Sequence, residues 1–311
     1  MQSAKTTAYE VNNKWQQPGK AYKILILGGR RGLLGQAMAA AGQAIGLETI
    51  SLGQEDVNIL DPRSLGRCID RHAPDCICNA VGYTAVDLAE EDSEMAYALN
   101  RRVPESLADI CKGASAPVVT FSTDYVFDGR KQAPYLPEDA PNPLSVYGAS
   151  KLAGEEALLD SEVGYALVIR TSWLFGPWKT NFVQKMIDLS RERNELTVVH
   201  DQVGSPTYTC DLAEHTLELL RHNASGIHHL SNSGQASWCE LAAETVSIAG
   251  ITCQVSPVTS EQYPQKARRP SYSALDCSKY TKLCGSKPRP WLQALRDYVF
   301  SHQSDRISCE D

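Results

Sequence analysis

The chain has 311 residues, 42% of them apolar and 22% charged, the balance of a folded globular protein large enough to bury a core without disulfides. Its formal net charge of −7 argues against nucleic acid as the main partner, because phosphate backbones select an excess of Lys and Arg. No apolar run approaches membrane-spanning length, and the first residues carry Lys5, Glu10 and Lys14 in place of an apolar leader, so the expectation is a cytoplasmic protein without a membrane partner.

Residues 1–20 are polar and aperiodic and are expected to form a disordered N-terminal extension. The continuous apolar run Lys23 to Leu27 reads as a buried strand, followed by a glycine-rich turn and an Ala-rich helical segment to Ala44. Gly29-x-x-Gly32-x-x-Gly35 is more open than the Gly-x-Gly-x-x-Gly fingerprint but serves the same physics. Glycines let the backbone approach a pyrophosphate, and the free N–H groups of the helix N-terminus hold it. A second strand around Glu48 to Ser51 ends with no adjacent carboxylate for a ribose 2′-hydroxyl, whereas Arg30 and Arg31 in the glycine loop suit a 2′-phosphate. The expected cofactor is therefore NADPH in preference to NADH.

A helix from Pro62 to His72 leads to a strand from Asp75 to Cys78, which runs into Asn79-Ala80-Val81-Gly82-Tyr83-Thr84. A single helix is expected from Ser93 to Cys111, then the apolar strand Val118 to Phe121, ending in the polar Ser122-Thr123-Asp124. Pro143 and Ser145 mark the start of a helix reaching about Ser161, and Tyr165 to Ile169 is another strand. This succession specifies an α/β fold with a doubly wound parallel sheet, the carboxyl ends of whose strands bind ligands. Beyond Arg170-Thr171-Ser172-Trp173 the pattern loosens into a smaller lobe. There, Asn181 to Arg191, Asp211 to Arg221, Ser237 to Ala249 and Pro290 to Phe300 read as helices, Leu196 to Val199 as a strand, and Gly226 to Leu230 as a strand returning to the main sheet. Among the ten scattered cysteines, Cys76 and Cys78 share one side of a strand and read as buried apolar residues. His228, His229 and Cys239 lack the spacing of a zinc site, so no metal is expected.

Tyr147 and Lys151 lie four apart and project from one helix face. A fixed ammonium one turn away is expected to lower the phenol pKa from its usual value of about 10. The pair suits proton donation to a carbonyl oxygen during reduction, with the Thr123 hydroxyl as a second hydrogen bond to that oxygen.

Taken together, Gly-x-x-Gly-x-x-Gly, Asn79 to Asp87 with Glu90, Ser122 to Gly129, Tyr147-Gly-x-Ser-Lys151, Arg170 to Trp173, Asp201-Gln-x-Gly-x-Pro-Thr207 and Arg269-Pro270 resemble the dTDP-4-dehydrorhamnose reductases, extended short-chain dehydrogenases/reductases, from about Lys23 to Phe300. The resemblance implies reduction, by NADPH or NADH, of the 4-keto group of dTDP-6-deoxy-L-lyxo-4-hexulose to give dTDP-L-rhamnose. It implies Tyr147 as general acid, Lys151 on the nicotinamide ribose and Thr123 on the sugar carbonyl. Gly29, Gly32, Leu33 and Leu34 would cradle the pyrophosphate, with Arg30, Arg31, Asn58 and Ile59 at the adenosine end. Gly82, Tyr83 and Thr84 would lie along the cofactor with Asn100 nearby, while Val86, Asp124 and Trp173 would line the sugar pocket and Arg269 would meet the diphosphate. The expected division is a Rossmann domain of residues 21–173 and 205–235, a nucleotide-sugar lobe of 174–204 and 236–302, and a tail of 303–311.

Two positions depart from the family pattern. Asn58 stands where relatives usually have an acid near the adenine, and Ala37 where some supply a glutamate to a magnesium ion between subunits, so that metal-bridged dimer is not expected and a homodimer is left open. Two other readings also stay open: a reductase or epimerase of another nucleotide sugar, and a non-catalytic regulatory subunit like that of methionine adenosyltransferase. That subunit shares the Ser-Asp-Tyr-Val-Phe-Asp-Gly strand and the Tyr-x-x-x-Lys pair, whereas Tyr83 to Asp87, Trp173 and Asp201 to Thr207 belong to the reductase pattern.

Overall fold

A computed structural model describes residues 21–112, 116–161 and 163–307; the expected N-terminal extension and residues 308–311 of the expected tail lie outside the described residues. The first half alternates strand and helix: β1 (Lys23–Leu27), α1 (Leu33–Ala44), β2 (Glu48–Leu52), α2 (Pro62–His72), β3 (Cys76–Asn79), the short α3 (Val86–Ala89) and α4 (Ser93–Tyr97), α5 (Val103–Ile110), β4 (Val118–Thr123), α6 (Val146–Leu159) and β5 (Ala166–Thr171). The second half contributes β6 (Leu174–Phe175), α7 (Phe182–Glu192), β7 (Glu195–Val199), β8 (Val203–Gly204), β9 (Thr207–Tyr208), α8 (Thr209–Arg221), β10 (Gly226–His229), β11 (Ala236–Ser237), α9 (Trp238–Ile248), β12 (Gln254–Val258), α10 (Ser278–Cys284) and α11 (Trp291–Ile307).

Six strands form one sheet in the order β10-β5-β4-β3-β1-β2, every neighbouring pair parallel. This is the doubly wound Rossmann-like arrangement. The chain starts at β1, builds outward first to β2 and then, from β3, to the other side, so a crevice opens at the carboxyl ends of β1 and β3. Gly226 to His229 does return to the main sheet, beside β5. Side chains alternate between the two faces of the sheet. Ile24, Ile26, Cys76 and Cys78 pack under α1 and α8, while Leu25, Leu27 and Ile77 pack on the opposite side with α2 and α5 residues such as Leu65 and Leu107. Burial pushes the Cys78 thiol up to about 12, leaving an inert apolar group. The smaller strands pair among themselves, β7 with β12 in parallel and β8 with β11 antiparallel, and α7, α9 and α11 close a separate core around Phe175, Ile187, Leu241 and Leu295.

Helix starts follow local chemistry. Asp61 accepts from the Arg63 amide before Pro62, Ser145 accepts from Gly148, Asn181 from Gln184, and Ser237 and Glu240 form a reciprocal capping box. The helix expected from Ser93 to Cys111 is interrupted: Ala98 to Arg102 widen into a π turn. Pro104 has no N–H to give the Asn100 carbonyl, so the ladder loses that bond. Gly154 of α6 packs on this spot, where an added Cβ would lie 1.9 Å from Asn100 O. Among the described residues no helix is long and apolar enough to cross a membrane, and no cluster of His, Cys, Asp or Glu is arranged to hold a metal.

Candidate active site

The glycine turn is built for close approach. Gly28 has φ +79, and a Cβ on Gly35 would sit 2.3 Å from the Gly28 carbonyl, so α1 starts closer to β1 than any side chain allows. α1 begins at Leu33 with no side-chain cap and no acid in its first turn. Its first amides are left for a ligand, and the cradle fits the pyrophosphate of a dinucleotide.

On the other side of the crevice, Asn100 from the π turn pins the loop after β3. Its Oδ1 accepts from the Tyr83 amide at 2.8 Å, and its Nδ2 donates to Tyr83 O at 3.1 Å and to Ser150 Oγ at 2.9 Å. The widened turn thus serves to present Asn100 to both the loop and α6. A Cβ on Gly82 would lie 3.1 Å from Asn100 Oδ1 and 3.6 Å from Lys151 Nζ, so the ammonium, the loop and Asn100 converge. Gly148 in turn lets α6 press on the Tyr125 carbonyl, with only 2.2 Å available to a Cβ.

Thr123 ends β4 and Tyr147 lies in the first turn of α6, which brings the Thr123 hydroxyl close enough to favour the Tyr147 phenolate. The lowered phenol pKa expected from Lys151 is not what the structure holds. Burial pushes Tyr147 up to about 12, opposed by Thr123 and reinforced by the Asp124 charge. Lys151 Nζ instead donates to the Phe121 carbonyl, and burial, partly offset by Glu155, brings its pKa down to about 8. The correction has a simple cause: desolvation acts on both groups and disfavours charge on each, and the ammonium is spent on a carbonyl. The outcome still suits an acid, since Tyr147 holds its proton at neutral pH.

Asp124 is buried, accepts from Ser273 Oγ at 2.5 Å and Thr123 Oγ1 at 3.0 Å, and is raised to about 7 by burial despite those bonds. Beneath this floor lies a buried ion pair that sequence reasoning missed. Arg170 Nη2 donates to Glu155 Oε2 at 2.6 Å and Nε to Oε1 at 3.0 Å, while Ser122 Oγ donates to the same carboxylate. Glu155 stands one turn beyond Lys151 on α6, and that spacing was the available signal. Trp173 adopts φ +49, stacks on Trp238 with ring centroids 3.6 Å apart, and has a buried Nε1 with no partner among the described residues.

Arg269, expected to meet a diphosphate, is already engaged. Its Nη2 donates to Asp87 Oδ2 at 2.8 Å and Nη1 to Oδ1 at 3.1 Å, and its charge lies near Tyr125, whose ring stands edge-on to Tyr147 at 5.9 Å. Val86 precedes Asp87 at the start of α3, and Thr84 is exposed just before it. At the adenosine end, Asn58 is exposed and caps its own turn by accepting from the Leu60 amide at 3.2 Å, while Ile59 packs against the core beneath β2. Two carboxylates that the strand end does not advertise fold back there: Asp56 binds Arg30, and Glu55 lies 3.5 Å from Arg31. Ala37 is 1% exposed, on the face of α1 turned into the core.

The chain matches the RmlD substrate binding domain family over residues 22–304. It is 38% identical to the spore coat polysaccharide biosynthesis protein SpsK of Bacillus subtilis, covering 91% of this chain and 98% of that one. It is 36% identical to a dTDP-4-dehydrorhamnose reductase of Sinorhizobium fredii, over 89% of this chain and 97% of the relative. Among solved structures, the dTDP-4-dehydrorhamnose reductase of Bacillus anthracis in complex with NADP superposes with a TM-score of 0.86 at 32% identity, covering 90% of this chain and 99% of that one. Motifs, sheet order and these likenesses agree: the chain belongs to the dTDP-4-dehydrorhamnose reductase family.

Proposed function

We propose that the protein is an oxidoreductase that uses NAD(P)H to reduce the 4-keto group of a dTDP-6-deoxy-hexulose, yielding dTDP-L-rhamnose. The observation that carries the reading is Tyr147 set beside Thr123 at the carboxyl end of β4, with Lys151 beside Gly82 and the uncapped glycine cradle at the other end of the same crevice. When bound, the dihydronicotinamide supplies the hydride. The chain's own residues do the rest. Leu33 and Leu34, whose amides open α1 uncapped, would hold the pyrophosphate, with Gly29 and Gly32 letting the backbone come close while their own amides stay on Leu52 O and Gly28 O, and Lys151, anchored through Phe121 O, would present its remaining donors to the ribose.

Tyr147 then gives its proton to the developing alkoxide. A phenol kept neutral by burial is a ready donor, and the Thr123 hydroxyl, whose single proton rests on Asp124 Oδ1, turns it to the ketone oxygen when substrate binds. Val86, Asp124 and Trp173 shape the sugar pocket. Arg269 exchanges Asp87 for the substrate diphosphate, because phosphate offers the same two-oxygen geometry with more charge. The reaction consumes a reduced nicotinamide and a nucleotide sugar, so we place it in the cytoplasm, where both are made.

The test is a panel of nucleotide 4-keto-6-deoxy sugars with NADPH or NADH, following oxidation of the cofactor. Turnover with the dTDP-linked L-lyxo sugar well above the others is the expected result. Turnover only with another epimer or base would reassign the substrate, and binding without turnover anywhere would sink the enzymatic reading in favour of a regulatory subunit.

A further inference from the structure

Residues 271–276 run between the smaller lobe and the loop after β4, and both hold them. Val203 N donates to Ser271 O at 2.9 Å and Ser273 N to Val203 O at 2.8 Å, while Leu275 N donates to Ser205 Oγ at 3.1 Å. From the loop after β4, Tyr135 N donates to Ala274 O, and Asp276 N donates to Tyr135 O, both at 2.8 Å. Val203 belongs to β8, whose Gly204 lies so close to Trp173 that an added Cβ would meet its ring at 2.6 Å. The segment is therefore fixed to the wall that carries Trp173.

From this segment the Ser273 hydroxyl, 2% exposed, reaches Asp124 across 149 residues of chain and donates to Oδ2 at 2.5 Å. The other carboxylate oxygen accepts from Thr123 Oγ1 at 3.0 Å, and Thr123 Oγ1 in turn accepts from the Tyr125 amide at 3.3 Å. The last torsion of an Asp side chain has broad wells, so a carboxylate takes its orientation from its partners. Held at Oδ2 by Ser273, Asp124 keeps Oδ1 on Thr123. Without that bond the carboxylate is free to turn, and the Thr123 hydroxyl loses its fixed partner.

We propose that Ser273 is a positioning residue for the reduction: by anchoring Asp124 it orients the Thr123 hydroxyl beside Tyr147, and so ties the proton-delivering groups to the seating of the smaller lobe. This role rests on the reduction proposed above. The groups that face Asp124 are the Thr123 and Ser273 hydroxyls and, through its charge, the Tyr125 and Tyr147 phenols. Burial raises the Asp124 pKa to about 7, and the Ser273 bond works against that rise. Losing the bond raises it further, a signature that loss of packing alone does not have.

The experiment compares the parent chain with Ser273→Ala and with Ser273→Cys, which is close in size and a weaker donor. Melting temperature is followed between about pH 5 and 9, and kcat and KM are measured with NADPH and the dTDP-linked L-lyxo 4-keto sugar. Ser273→Ala should lower kcat by about tenfold, the change one hydrogen bond to a charged group is worth, with KM within about threefold of the parent. A carboxyl whose folded pKa exceeds its unfolded value loses stability as pH rises to the folded pKa, and the variant's lies higher. Its melting temperature should therefore run parallel to the parent's below about pH 7 and fall further behind above it. Ser273→Cys should lie between the two in both readings, which keeps the role testable if the alanine variant folds poorly. Parallel melting profiles throughout, or a kcat within about twofold of the parent's, overturn the role of Ser273 and leave the reduction standing. A parent that turns over no ketosugar overturns the reduction, and this role with it.

Discussion

The two ends of the crevice are built to opposite rules. At the chemical end, Lys151, Glu155 and Arg170 are buried, and each polar atom is held by specific partners; Gly82, Gly148 and Gly154 remove the Cβ atoms that would keep the layers apart. At the adenosine end, Arg30, Arg31, Glu55 and Asp56 stand in or near solvent and pair with each other in ways that a ligand can exchange. The difference teaches that this crevice concentrates rigidity where Tyr147 and Lys151 are held and leaves exchangeable pairs where the glycine turn meets the end of β2. Low effective dielectric makes the buried contacts strong and costly to break, while water weakens the exposed ones.

The largest effect should come from the buried end. Tyr147→Phe removes the transferable proton from an otherwise identical ring, so kcat should fall by about 10²–10⁴-fold with cofactor affinity retained. Turnover within a few-fold of the parent would break the comparison at its centre. Next, Arg170→Met strands the Glu155 carboxylate under the site and should cost about 3–5 kcal/mol of stability, read from chemical denaturation. A loss under about 1 kcal/mol would put this pair with the surface pairs.

Lys151→Met probes binding in place of proton transfer. It should weaken cofactor binding by about tenfold, and it also carries a pH signature. The Lys151 pKa is lowered to about 8, so the parent keeps the ammonium below that pH and loses it above; cofactor affinity should fall as pH rises through about 8 in the parent and stay flat in the variant. Identical pH profiles would detach Lys151 from the cofactor.

Asp124 gives a smaller and opposite kind of signal. Its folded pKa, about 7, lies above its usual 3.8, so its contribution to stability is full below the lower value and is lost as pH rises through the higher one. Asp124→Asn should therefore flatten the fall in melting temperature between about pH 4 and 7, and a parallel fall in both proteins would show the carboxyl to be ionised throughout. The smallest effect is expected at the open end: Arg31→Ala should change either cofactor constant by less than about twofold, since Arg31 is exposed and its ion pair with the exposed Glu55 is 3.5 Å long.

Much of this was legible in the chain because it depends on near neighbours. The apolar runs and glycine turn specify strand, close turn and uncapped helix within a dozen residues, and Ser145 with Tyr147 and Lys151 specifies a capped helix with both groups on one face. The βαβ alternation then leaves a parallel sheet as the economical arrangement, to which Gly226 to His229 returns beside β5.

What only the tertiary structure decided was partnership and solvation. Asp56 reaches Arg30 across 26 residues and Asp87 reaches Arg269 across 182, and no local pattern marks either carboxylate. The break at Asn100 comes from Pro104 together with a glycine on another helix, and the core position of Ala37 comes from what lies across from α1. The direction of the Tyr147 shift turned on the same kind of information. Spacing along a helix tells which charge is near, but the energy of that charge depends on how much water surrounds it and which other groups it already serves, and those are properties of packing.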